Sequence, residues 1–342
     1  MKTIKIDFCG FWSSFNKKEN AFTKILSKYF IVEVCDKPDF VICSNRGKPF
    51  EYMRYDCIRI MFMGENMSPD FTVFDYCIGF DYIEFGDRYF RLPFAFYNDN
   101  GRPWIPDRLS EEDARSILNA KKYFCNFIYG HESSHGMRER LFRELSEYRQ
   151  VISPGSYLNN VHPSSDEGKK GRRCTWKEKA QYLRDSKFTI AGDSIVYPGF
   201  VTEKIVQPFE MHSIPIYFGN PIIDRDFNPK AFVWCRNVSD VKRTVETVMY
   251  LDTHDEEYIQ MLMQPPLAEK NDLSDVYSSF EAFLVNIFAQ EKELAGRRIR
   301  YFSAENHERY LYEYEERYRK TPSAIRDLKE KANSVKEKFK KR

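Results

Sequence analysis

Two successive series of short apolar segments, each alternating with helix-like stretches, constrain this chain more than any other feature. In the first, Ile4, Ile6 and Phe8 alternate as in a strand and a helical stretch follows at 21–28. Apolar, partly β-branched runs then come at 30–34, 40–43, 58–63 and 74–78. In the second, strand-like runs at 123–129, 151–152, 188–191 and 214–218 are interleaved with helical patterns at 137–148, 176–183, 202–211 and 238–251. Short apolar strands separated by helices predict an α/β chain with parallel, doubly wound sheets. The turn-rich stretch 98–106, with two prolines, reads as the linker between the series. The expected division is 1–110, 111–300 and a helical, basic tail over 301–342. Two Rossmann-like halves bind ligands beyond the carboxyl ends of their strands, so the active site is expected in the cleft between them.

The 342 residues carry 53 Lys and Arg against 51 Asp and Glu, a net charge of +2, which excludes a broadly polycationic nucleic-acid binder. Phe and Tyr, 29 and 22 in number, are abundant enough to line a ligand cleft as well as a core. The first nine residues lack the apolar core of a signal peptide, and no uncharged apolar run approaches the roughly 20 residues that cross a bilayer. Eight scattered cysteines without CxxC pairs read as reduced thiols of a cytoplasmic protein. Residues 320–342 hold nine basic and three acidic side chains, and Ile325, Leu328, Ala332, Val335 and Phe339 form one apolar stripe among them. A solvated terminal helix, a short coiled coil and a peripheral anchor on an anionic membrane all fit that pattern.

Several motifs could carry chemistry. His131-Glu-Ser-Ser-His135 matches the zinc motif HExxH, but Gly130 and Gly136 bracket it and two serines fill it. It therefore reads as a loop, without the helical i, i+4 geometry that a zinc hydrolase needs. Asp224-Arg-Asp226 could share a divalent ion, yet it lies in a turn-like stretch where paired aspartates are common. No glycine-rich phosphate loop is present, so phosphate recognition has to come from cations and helix N-termini. The segment 197–204 offers both: turn residues lead into an apolar-periodic helix, with Lys204 at the entry. Pro208 deprives that helix of one backbone bond. A second candidate is Gly64-Glu-Asn66, delivered at the carboxyl end of an apolar strand.

Taken together, Gly64-Glu-Asn66, residues 74–81 and 87–93, and then residues 200–205, 214–219 and 226–232, resemble the bacterial α-1,3-fucosyltransferases. The resemblance implies a GT-B fold with two Rossmann-like domains, the acceptor on the N-terminal one and GDP-fucose on the C-terminal one. It implies inverting transfer of L-fucose, with no obligatory metal or other cofactor, to O3 of GlcNAc in an N-acetyllactosamine-type surface glycan. By motif, Glu65 would be the general base. Lys204 and Arg138 would hold the diphosphate and Glu203 the ribose or sugar hydroxyls, with Ser194 and Phe200 as further donor contacts. Many relatives carry Glu-Asn in place of Asp193-Ser194 and Tyr in place of Phe200, so another nucleotide sugar stays open as the donor.

Overall fold

In a computed structural model the chain is described over residues 1–47, 50–99, 101, 104, 108–132, 136–161 and 174–322. Two parallel sheets organise it, and each is covered by helices. The elements around the first sheet are β1 (Thr3–Cys9), α1 (Ala21–Leu26), β2 (Ile31–Val34), β3 (Phe40–Ser44), β4 (Ile58–Phe62), β5 (Tyr76–Gly79) and β6 (Tyr89–Arg91). The order across the sheet is β2-β1-β3-β4-β5-β6, with every pairing from β2 to β5 parallel. β3, β4 and β5 are buried along their whole length, as strands covered on both faces must be. Helix α1 starts at a capping box, in which Asn20 and Thr23 satisfy each other's backbone N–H.

The second series supplies α2 (Glu111–Asn119), β7 (Tyr123–Asn126), α3 (Met137–Tyr148), β8 (Val151–Ile152), α4 (Trp176–Asp185), β9 (Ser186–Gly192), α5 (Glu203–Glu210), β10 (Ile214–Phe218), β11 (Val233–Trp234), α6 (Val241–Thr253) and α7 (Asp255–Leu262). Its sheet has the order β11-β10-β9-β7-β8, again with parallel pairings. Phe127, Phe188, Ile190, Ile216 and Leu141 form its core. Capping boxes at Ser110 and Thr175 start α2 and α4. α5 carries Pro208 within it and ends two residues later at Glu210.

After α8 (Leu273–Ala289) come α9 (Lys292–Ala295) and α10 (Ser303–Lys320). The compact units interleave along the chain: residues 1–78, 85–90 and 283 onward form one, and 79–84 with 91–282 form the other. The return to the first unit is held by specific contacts. The Phe288 ring lies 4.7 Å from Phe40, the Tyr76 hydroxyl donates to Ala295 O at 2.8 Å, and Arg298 pairs with the buried Asp75 at 2.8 Å. The insertion at 162–173 and the amphipathic stripe 325–339 lie outside the described residues, as does most of the linker.

In each sheet the strand order reverses once, between β1 and β3 in the first and between β7 and β9 in the second. At such a reversal the loops leave toward opposite faces and open a crevice at the carboxyl ends of the strands. Topology alone thus marks two crevices, one per unit, as candidate ligand sites.

Candidate active site

At the second switch point β9 ends in Gly192-Asp193, and the flanking elements converge on those two residues. Arg138, in the first turn of α3, is buried; its Nε donates to Gly192 O at 3.0 Å and its guanidinium lies 4.3 Å from the centre of the Tyr129 ring. The Tyr129 hydroxyl donates to Ile190 O at 2.9 Å and accepts from Gly192 N at 2.8 Å. Burial pushes that hydroxyl up to about 12, so Tyr129 is neutral and the positive charge of Arg138 stands over its face.

Asp193 is fully buried, and the Tyr217 hydroxyl donates to it at 2.8 Å together with the hydroxyl of Thr202. Burial raises its carboxyl above the usual range, against the pull of Lys204, Thr202 and Tyr217. Thr202 is also the N-cap of α5, where its Oγ1 accepts from Lys204 Nζ at 3.1 Å. Asp193 therefore ties the end of β9 to the start of α5 and to β10. Although Asp193-Ser194 departs from the Glu-Asn of many relatives, the position of Asp193 makes it an anchor.

Lys204 is the second residue of α5, and its Nζ stands 3.5 Å from the carboxylate of Glu203. Burial opposes ionisation of Glu203, but the charges of Lys204 and Lys179 outweigh it and hold the carboxyl below its ordinary range. Sequence reasoning passed over Lys179, which reaches from α4 to donate to Gln207 Oε1 at 2.6 Å. Lys179 and Lys204 line one cavity of about 30 Å³ beneath α5. Arg138 and Lys204, each in the first turn of its helix, are tied to Gly192-Asp193, directly and through Thr202, and cations at helix N-termini suit an anionic group. Ser194 is exposed in the turn after β9, while Phe200 is buried edge-on to Phe80 at 5.2 Å. Phe200 thus packs in the core.

At the first unit's carboxyl edge Glu65 follows β4 with its side chain exposed. Asn45, just after β3, fixes the approach: its Oδ1 accepts from Gly64 N and Glu65 N, both at 3.0 Å, and its Nδ2 donates to Glu65 O at 3.3 Å. Arg46 Nη2 lies 3.3 Å from the Glu65 carboxylate. The result is a solvent-reachable carboxylate, paired with Arg46, on a clamped backbone.

The two metal motifs fare differently. Ser133–His135 lie outside the described residues, so the HExxH string is not placed. Asp224 is exposed while Asp226 is buried, so the pair does not face one ion. Asp226 is held by Arg91 through two bonds of 2.9 and 2.7 Å and by the Tyr82 hydroxyl at 3.1 Å. Among the described residues, no cluster of three His, Cys, Asp or Glu is arranged to hold a metal. Removing one partner of a buried ion pair leaves the other charge uncompensated. Arg91→Ala is accordingly expected to destabilise the fold by about 3 kcal/mol, read as a lower midpoint in urea unfolding.

Comparison with known proteins decides the family. Residues 6–97 match the α-(1,3)-fucosyltransferase FucT N-terminal domain, and residues 118–263 match the C-terminal part of glycosyltransferase family 10, the fucosyltransferases. The chain belongs to glycosyltransferase family 10. It is 27% identical over 300 residues to an α-(1,3)-fucosyltransferase FucT of Helicobacter pylori, covering 77% of this chain and 60% of that protein. Over 177 residues it is 28% identical to the α-(1,3)-fucosyltransferase B of Drosophila melanogaster, covering 46% of this chain and 39% of that one. The chain thus spans less than two thirds of the length of these relatives. A crystal structure of an α1,3-fucosyltransferase with GDP-fucose superposes with a TM-score of 0.62 at 24% identity, covering 83% of this chain and 90% of that one. The fold of this family 10 member is GT-B, as the sequence resemblance implied. No helix among the described residues is long and apolar enough to cross a membrane.

Proposed function

We propose that this family 10 chain transfers L-fucose from GDP-fucose to O3 of GlcNAc in an N-acetyllactosamine-type glycan, with inversion at the anomeric carbon. The observation that carries the reading is the gathering of Arg138, Lys204 and two helix N-termini around Gly192-Asp193. Family membership and the relatives' activity as α-(1,3)-fucosyltransferases support it.

In this mechanism the bond between the fucosyl anomeric carbon and the β-phosphate oxygen breaks as the acceptor O3 attacks from the opposite face. The O3 proton passes to the Glu65 carboxylate. Positive charge builds on the sugar and negative charge on the leaving GDP. Lys204, Arg138 and the first-turn N–H groups of α3 and α5 meet that negative charge where it develops, so no metal is required. Lys204 has to turn from Glu203 toward the phosphate, and Lys179 then remains as the counter-charge of Glu203. Glu203, kept ionised, accepts from ribose or sugar hydroxyls. The basic segment beyond residue 322, with its apolar stripe, fits a peripheral contact with an anionic membrane.

The test is donor choice. The purified chain is incubated with GDP-fucose, GDP-mannose or UDP-galactose and a panel of β-linked disaccharides, and the products are read by mass spectrometry. A fucosylated disaccharide from GDP-fucose alone is expected. A product from another nucleotide sugar in preference to GDP-fucose refutes the donor assignment.

A further inference from the structure

The crevice at the first switch point has a built rim of its own. A Cβ on Gly10, where φ is +69°, would overlap the Ser44 carbonyl oxygen, and one on Gly47 would come within 2.7 Å of the Gly10 backbone. Glycine at both positions lets the loops after β1 and β3 lie backbone on backbone. Gly47 N donates to Gly10 O, and Gly10 N donates to Glu51 Oε2 at 3.0 Å. The loop after β3 is the one whose Asn45 and Arg46 hold Glu65.

The loop after β1 presents aromatic rings at the same edge. It turns at Trp12–Phe15, where Phe15 N donates to Trp12 O at 3.0 Å. Phe11 and Phe15 stack at 4.0 Å, and Trp12 stands edge-on to them at 5.6 and 5.3 Å. All three are half-buried, and beneath them Phe8, Phe22 and Phe62 are fully buried. Phe11 lies 6.1 Å from Phe62, the last residue of β4, three positions before Glu65. Aromatic rings, an arginine and the Glu65 carboxylate therefore belong to one interlocked edge.

We propose that Trp12, backed by Phe11 and Phe15, is the platform on which a pyranose ring of the acceptor stacks. A pyranose has one face of C–H groups and a rim of hydroxyls. The rings remove the apolar face from water, and Asn45, Arg46 and Glu65 meet the hydroxyl rim. Ser44 is 5% exposed and its Oγ has no hydrogen-bond partner among the described residues, which leaves one more polar group under Gly64 for a bound water or hydroxyl. The platform rests on the reading of Glu65 as the base, since it is the acceptor that both would hold.

The experiment is steady-state kinetics with GDP-fucose and N-acetyllactosamine on Trp12→Leu, Trp12→Phe and Glu65→Gln, with thermal melting of each. Trp12→Leu keeps apolar bulk but loses the flat face, so the KM for N-acetyllactosamine is expected to rise roughly tenfold or more while the KM for GDP-fucose holds. Trp12→Phe restores most of the acceptor affinity. Wild-type acceptor KM in Trp12→Leu, or equal rises in both KM values, overturns the platform. Full turnover in Glu65→Gln removes the base instead, and the Trp12 comparison then still decides the platform on acceptor KM alone.

Discussion

Glu65→Gln is expected to cut fucosyl transfer by orders of magnitude while leaving GDP binding intact. The substitution keeps the size of the side chain and removes its capacity to take a proton. The clamp on the backbone of residues 64 and 65 comes from Asn45 and does not involve the Glu65 side chain, so the loop is retained. Positioned general bases contribute roughly 10²–10⁴ in rate, and the loss in kcat should fall in that range. Calorimetry with GDP should match the wild type, because the groups around Gly192-Asp193 are untouched. Turnover in Glu65→Gln equal to the wild type would remove Glu65 from the mechanism.

Lys204→Ala is expected to lose both donor affinity and turnover. The lysine sits at the N-terminus of α5, with its ammonium on Thr202 and Glu203. Removing it deletes a charge that would face the departing diphosphate, typically about 10²–10³ in rate for one such partner. It also leaves Glu203 with Lys179 as its remaining cation, so the Glu203 carboxyl is less depressed and the acid limb of donor kcat/KM should move to higher pH. GDP binding indistinguishable from wild type by calorimetry would refute the diphosphate role of Lys204.

How much of this could be read from the chain depends on the range of the interaction concerned. The runs 40–43, 58–63 and 214–218 are continuous and apolar, and they appear as β3, β4 and β10, buried from end to end. Thr202 before Glu203-Lys204 is a local signal, and it is the N-cap of α5. Strand order and pairing across the sheets carry no such local signature. Asp224-Arg-Asp226 matches a metal motif only as a string; the partner that holds Asp226, Arg91, lies 135 residues away and leaves no local trace. Asp193 reads in the sequence as a change beside the donor, because the Tyr217 hydroxyl that donates to it comes from the next strand, 24 residues on. The return of residues 283–320 to the first unit follows from contacts such as Phe40 with Phe288, which no periodicity announces. Phe11-Trp12 is an ordinary aromatic pair in the sequence; the glycine contact between Gly10 and Gly47 is what sets it beside the Glu65 loop.

The proposed roles of Lys204, Arg138 and Glu65 together require a single in-line displacement on the fucosyl carbon. Proton NMR of the trisaccharide product made from β-linked GDP-fucose and N-acetyllactosamine tests that requirement most directly. An α-L-fucosyl unit on O3 of GlcNAc is the result predicted; a β-linked fucosyl unit, formed with retention, contradicts it.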